Sequence, residues 1–422
     1  MMNSEKSAPP PNMSHTVMSD TILISANFLA LILAALAMLG PFAVDGYLPA
    51  FPSIQAALNT SELAVQQTLT AYMAAFAVMI LWHGALSDAF GRRRIILISL
   101  VVFTLASLGC AFVKSIESLL FFRALQGISA GAGVVIGRAI IRDLYQAADA
   151  ERMLSLVTMI FSVSPAIAPI VGGWVVTLSS WRTIFILLSL FTFALIWICW
   201  RYLPETLAPT HRQSFKPTSL WNNYKNIFSS PIFQLKAGAI AFNFSGLFLY
   251  VASAPAIVTR HLGLHAHQFA WLFVPAVLGI FLGALAANRM AGRYKTHHQI
   301  ASGFVLLILS GILNVSYHAL FPAALPWTVL PLFFYAMGMS MVAPGLTLLV
   351  LDLFPSIRGT VASCQSFTMT MLSAFTAGII APLLNTSMLH LAAGQFAFTL
   401  FGFFLWRIGR TMIKAQSLTT ST

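Results

Sequence analysis

Among the 11 Asp and Glu residues of this 422-residue chain, one stands apart. Asp45 lies inside an apolar run, LGPFAVDGYLPAFP, whereas the other acids fall in the polar leading stretch, in loops or at the ends of apolar segments. An ionisable group at membrane depth costs roughly 3 kcal/mol or more and marks an ion or substrate path by default. The alternative is that Asp45 caps a kinked helix end at the water interface. Arg123 is the matching cation. It lies about 8 Å into an apolar run that enters from the opposite direction, at 1.5 Å per residue, and Gln126 follows one turn on. Burial and a nearby guanidinium act on a carboxyl in opposite senses, which suits a group that must exchange protons in each cycle. A purely structural Asp–Arg pair is the competing reading.

Two further clusters concern movement rather than protonation. The turn GALSDAFGRRR, from Gly84 to Arg94, sets Asp88 just ahead of Gly91, Arg92 and Arg93. Glycines there permit close helix approach and a tight turn, so an acid–arginine latch between helices is expected beyond simple basic anchoring. GALAANRMAGRYK, from Gly283 to Lys295, echoes it about 200 residues later and points to an internal duplication. The segment SVSPAIAPIVGGW carries Pro165, Pro169, Gly172 and Gly173; it bends a helix and strips its bulk so that a neighbour can pack closely.

The elements that hold these groups are membrane-spanning helices. The chain is 58% hydrophobic and 8% charged, against roughly 25% charged in a soluble domain. Twelve apolar runs, each long enough to cross a ~30 Å core, are expected at 22–46, 65–86, 95–113, 118–141, 153–178, 183–203, 233–257, 268–288, 299–318, 327–351, 358–384 and 390–411. The fold class is thus all-α membrane protein, in two six-helix halves, 22–203 and 233–413. A polar linker covers 204–232, and tails cover 1–21, read as disordered, and 414–422. Lys114, Arg182 and Arg260 fall on the side opposite both termini and Arg123 within the membrane; the remaining basic residues lie on the terminal side. By the positive-inside rule both termini are cytoplasmic. The net charge of +12 therefore reports topology, not a nucleic-acid partner. Cys110, Cys199 and Cys364 are dispersed within spans, which suggests packing residues and neither a disulfide framework nor a metal site. The histidines His261, His265, His267, His297 and His298 form no cluster with an acid at one depth, and no phosphate-binding loop is present. An enzyme, a cofactor and ATP as energy source are all disfavoured.

These motifs resemble those of the major facilitator superfamily, and in particular the twelve-helix drug:proton antiporters of the Bcr/CflA group. The resemblance covers residues 22–411. It implies a gating role for Gly84, Asp88, Gly91, Arg92 and Arg93, a proton-coupling role for Arg123 and Gln126 of FRALQGISAG, an antiporter-motif helix around APIVGG, and protonation at Asp45 of VDGYLPAFPSI. Two departures matter. Ala168 stands where glycine is usual, and Ala37 stands where relatives that export cationic drugs carry a second acid. A single acid favours neutral or zwitterionic substrates and one proton per cycle.

Substrate is expected near the midplane between the halves, against Met38, Met159, Asn243, Phe244, Tyr250, Tyr335, Met339 and Gln365, where flexible and flat side chains suit varied ligands. The leading expectation is efflux of small amphipathic compounds in exchange for protons, by a monomer in the bacterial inner membrane. A dedicated exporter of a peptide, amino acid, sugar or nucleoside is the alternative. The partners are then a small molecule, protons and lipid.

Overall fold

Twelve helices long and apolar enough to cross a membrane run through the computed structural model, which describes residues 25–212 and 215–419. The leading tail read as disordered lies outside them. The spans are Ala26–Ala57, Glu62–Phe90, Arg92–Phe112, Ile116–Leu144, Asp149–Leu178, Trp181–Tyr202, Pro231–Ala252, Ala266–Met290, Thr296–Leu320, Leu330–Leu351, Pro355–Leu384 and Met388–Met412. Each matches an expected run to within a few residues, apart from the first, which adds a terminal turn. Among the described residues there is no strand, as lipid requires of a chain that must satisfy its own backbone.

The same forces start and interrupt these helices. Ser61, Ser115 and Ser230 each accept a backbone N–H of the first turn, satisfying donors that a helix start leaves free. Large apolar side chains such as Leu105, Leu178 and Phe193 stay exposed on the outside, where the solvent is hydrocarbon. The fourth span breaks at Gly131 into Ile116–Ala130 and Ala132–Leu144. The fifth breaks at Val163 into Ala147–Ser162 and Ser164–Leu178, with Pro165 opening the second piece.

The two halves repeat one packing plan. The second span packs on the fourth and the third on the sixth; equivalently, the eighth packs on the tenth and the ninth on the twelfth. Between them the linker is not featureless. Pro217–Phe228 forms a helix that buries Tyr224 and Ile227, and the Tyr224 hydroxyl donates to Leu81 O at 2.5 Å. The last helix continues to Thr419, past the expected end of the twelfth span at residue 411 and into the expected tail 414–422.

With an even number of spans, the first begins and the last ends at one face, here the terminal face. Contacts between halves concentrate at the other, far face. Glu62 at the start of the second span pairs with Arg260 and accepts from Asn385 Nδ2 at 3.3 Å. Gln66 Nε2 donates to Ala252 O at 3.3 Å and to Ala377 O at 3.0 Å, and Gln67 Nε2 donates to Gly378 O at 2.8 Å. Trp174 meets His267, ring centroids 5.6 Å apart. The far face is sealed.

Candidate functional site

The helix that begins at Ala26 ends at Asp45, because Gly46 and the Tyr47–Pro49 segment turn the chain into a short 3-10 turn, Leu48–Ala50. This leaves Asp45 buried, at 7% exposure, with no hydrogen bond or ion pair among the described residues. Ala168, Pro169 and Gly172 of the fifth span are buried beside that turn. A Cβ on Gly172 would collide with the Gly46 carbonyl, and one on Gly173 with the carbonyl of Ala266 in the other half. The Pro165–Gly173 segment therefore does two things. It lets the fifth span close on the helix end that carries Asp45, and it forms part of the far-face seal. The departure at Ala168 does not disturb this approach.

Arg123 is wholly buried, yet it does not form an ion pair with Asp45. Its guanidinium lies between two tyrosine rings, 4.4 Å from the centroid of Tyr47 and 4.5 Å from that of Tyr72. Nη1 donates to Gln126 Oε1 at 2.8 Å, and Gln126 Nε2 donates to Ser107 Oγ at 2.7 Å. The rings face a delocalised cation with their negative π surfaces, and the Tyr47 hydroxyl is fixed by Thr68 Oγ1 at 2.7 Å. Nε and Nη2 of Arg123 remain without partners. Tyr72 lies within electrostatic reach of both Arg123 and Asp45, which form no ion pair with each other. Gln126 takes the position expected of it. The direct Asp–Arg pair considered from the sequence is absent, and the two tyrosines that replace it carried no sequence signal beyond their nearness to Asp45 and the second span.

The Gly84–Arg94 turn is a knot within the first half. Arg92 is buried at 7% exposure; it pairs with Asp88 one turn earlier and with Asp143 at the end of the fourth span, Nε to Oδ2 3.1 Å. Arg92 Nη1 also donates to Ser87 Oγ at 2.7 Å, and its backbone N–H to Glu205 Oε1 at 2.9 Å. Arg93 reaches the Trp200 carbonyl at the end of the sixth span. Gly91 adopts φ +100°, a region that L side chains avoid, and so permits the sharp turn. Gly84 packs on Val135 of the fourth span. Four helix ends of one half are thus tied at the terminal face.

The expected cavity residues divide. Met38, Phe244 and Gln365 are half-buried, Met339 is 9% exposed, and Gln365 Nε2 donates to Thr347 Oγ1 at 2.9 Å. Tyr250, Tyr335 and Asn243 belong instead to the interior of the second half. Tyr335 Oη donates to Asn243 O at 2.9 Å, and Asn314 Nδ2 bridges Tyr250 Oη at 2.7 Å and Gln395 Oε1 at 2.9 Å. Buried hydroxyl groups find partners in helix interfaces, which accounts for Tyr250 and Tyr335, whereas the buried Asn243 side-chain amide has no hydrogen-bond partner. Met159 is exposed at 61%, on a face of the fifth span shared with Arg152 and Ser155. The helix face that does line a cavity with the first and fourth spans carries Leu154, Val157, Thr158 and Phe161. Arg138, a residue that the sequence pattern placed with the basic anchors, lines the same cavity; its position inside the expected fourth span was the available signal. Among the described residues no His, Cys, Asp and Glu group could hold a metal ion.

The sequence profile of the Major Facilitator Superfamily matches residues 30–378. The chain is 31% identical over 364 residues to the uncharacterized MFS-type transporter YdgK of Bacillus subtilis (strain 168), covering 85% of this chain and 88% of that one. It is 30% identical to multidrug resistance protein D of Escherichia coli (strain K12), over 79% and 83% of the two chains. The fold also matches a bacterial homolog of the human lysosomal transporter Spinster, with TM-score 0.65 at 18% identity, over 92% of this chain and 98% of that one. By motifs, fold and relatives alike, the chain is a transporter and not an enzyme, and it belongs to the Major Facilitator Superfamily.

Proposed function

We propose that this chain exports small amphipathic compounds in exchange for protons, by alternating access across a bacterial inner membrane with both termini in the cytoplasm. Asp45 carries the reading. It is a buried carboxyl without a bonding partner, held at a helix end that the fifth span closes upon, in a chain whose other acids lie at loops and helix ends. A group so placed changes protonation whenever the helices around it separate and admit water. Arg123 supports it with two unpartnered N–H donors, ready to donate to the carboxylate or to a substrate acceptor when the halves rock. With cytoplasmic termini, the sealed far face makes this an inward-facing state, which loads substrate and releases the proton inward. Drug resistance in the name of one relative favours amphipathic substrates over a single metabolite.

The test is dye or antibiotic transport in everted vesicles energised by respiration. Wild type is expected to accumulate substrate until an uncoupler is added. Asp45→Asn is expected to retain substrate binding and lose uphill accumulation. Uphill transport by Asp45→Asn would move the coupling site elsewhere. A wild type that accumulates no dye, but does accumulate peptides, amino acids, sugars or nucleosides, would replace drug efflux with metabolite export.

A further inference from the structure

Arg138 sits on the helix Ala132–Leu144, about 9 Å from its terminal-face end at 1.5 Å per residue. It lines a cavity of about 140 Å³ formed with Leu33 and Ala37 of the first span and with Leu154, Val157, Thr158 and Phe161 of the fifth. Its side chain is exposed there, and among the described residues it has no hydrogen bond or ion pair. The charged group that acts on it is Arg142, of the same sign. The two stand at i and i+4 on one helix face, an arrangement that repels. Of the neighbouring acids, Asp143 pairs with Arg92 and Asp149 with Arg152, and the exposed Glu151 forms no ion pair with Arg138. An unpaired guanidinium in an otherwise apolar cavity, with a second cation behind it, lacks an anion.

We propose that Arg138 is the recognition group for the anionic head of the substrate, a carboxylate or comparable oxyanion whose apolar body lies against Leu33, Val157 and Phe161. The proposal rests on the export reading and names the substrate class for it. The planar fork of the guanidinium suits bidentate binding of such a head, and Ala37 leaves the facing wall without a competing carboxylate. Arg142, exposed nearer the terminal face, draws anions toward the cavity. For one proton inward per organic anion outward, each turnover carries two positive charges inward, against one for a neutral substrate.

The test uses the full chain in phosphatidylcholine nanodiscs and a matched pair of probes, 1-naphthaleneacetate and 1-naphthaleneacetamide, which differ in the charged head. Wild type is expected to bind the carboxylate roughly 10- to 100-fold more tightly than the amide, the range of a hydrogen bond to a charged group. Arg138→Gln is expected to remove that preference, with the carboxylate losing far more affinity than the amide. Arg138→Lys, which keeps the charge and loses the fork, is expected to recover part of it. The proposal is overturned if wild type shows no preference, or binds neither probe, or if the preference survives Arg138→Gln. Displacement of the carboxylate by a few mole per cent of phosphatidylglycerol would assign the guanidinium to a lipid headgroup and overturn the substrate assignment. Dye efflux without a carboxylate preference removes this proposal alone. An Arg138-dependent preference in a protein without proton-driven transport keeps the site and removes the export reading.

Discussion

The two halves share a packing plan and differ in what they bury at its centre. In the first, the third and fourth spans meet around Arg123, Gln126 and Ser107, with Tyr47 and Tyr72 closing over the guanidinium and Asp45 beyond. In the second, the seventh, ninth and twelfth spans meet around Tyr250, Asn314 and Gln395, while Tyr335 of the tenth bonds to the backbone of Asn243. The second knot is neutral: Asn314 Nδ2 joins Tyr250 and Gln395, while the Asn243 side-chain amide and Asn314 Oδ1 lack partners. The first holds a cation with two unpartnered donors and an acid with no partner at all. Polar groups buried in pairs stabilise a bundle; those left unpaired demand something the resting structure does not provide. One packing plan thus carries two different centres, a charged one in the first half and a neutral one in the second.

The largest effect is expected where the fifth span closes on the helix end that carries Asp45. Gly172→Leu forces a side chain into the carbonyl of Gly46, so either the fifth span or the Asp45 helix end must move. Overpacking of this kind costs about 1–3 kcal/mol in a core with room to relax, and more against rigid backbone. Uphill transport is expected to vanish and thermal stability to drop, measured on the purified protein. Gly84→Ala, whose new methyl would sit 3.7 Å from Val135 Cγ1 at the nearest, is the matched control and is expected to fold normally. Equal stability for Gly172→Leu and the parent would deny the close approach.

Removing each knot then separates function from support. In the first half, two ring contacts of up to about 2 kcal/mol each and one charge-assisted bond of about 1.5–3 kcal/mol oppose a desolvation penalty of several kcal/mol. These terms nearly cancel, so Arg123→Met is expected to unfold within about 2 kcal/mol of wild type and yet lose coupled transport. Asn314→Leu leaves the Tyr250 hydroxyl and the Gln395 amide without their shared partner, at a cost of about 1–3 kcal/mol, and coupling is expected to persist. Denaturation curves and vesicle transport on both variants check the crossing. If Asn314→Leu abolished uphill transport while Arg123→Met kept it, the assignment of roles to the halves would be reversed.

The spans were plain in the sequence because length and hydropathy act locally: GALSDAFGRRR and APIVGG each mark a helix end or a helix face that follows from glycine, proline and charge placement. Asp45 stood out for the same reason, being an acid where lipid-facing chemistry forbids one. The relation between Asp45 and Arg123 was not legible. Two residues at equal depth can meet or be held apart, and here the guanidinium turns to the rings of Tyr47 and Tyr72 rather than to Asp45. The burial of Tyr250 and Tyr335 was not legible either, because an aromatic hydroxyl suits a ligand and a helix interface equally well, and hydropathy does not say which face a side chain takes. The linker helix was missed because its buried pair, Tyr224 and Ile227, spans less than one turn, too short a period to register against a polar background.

The smallest effect belongs to the far-face seal. Glu62 and Arg260 join the halves across an interface where both side chains stay 40% and 49% exposed, and ion pairs of that kind are worth about 0.2–1 kcal/mol. Glu62 also accepts from Asn385, so Glu62→Gln weakens two links at once without introducing bulk. The closed far face is expected to lose up to roughly fivefold in population relative to its open form, since 1 kcal/mol corresponds to that ratio. Labelling of a cysteine placed at Ser253, a buried residue that lines the far-face pocket with Glu62, reads this out as a faster reaction in Glu62→Gln than in the parent, in a background with Cys110, Cys199 and Cys364 replaced. Raising the salt concentration should narrow the difference, because an exposed pair is screened whereas the Gln66 and Gln67 bonds to backbone carbonyls are not. An unchanged labelling rate would assign the seal to those amide bonds and to the glycine contacts of the fifth span, and would leave the ion pair as a passive contact between the two halves.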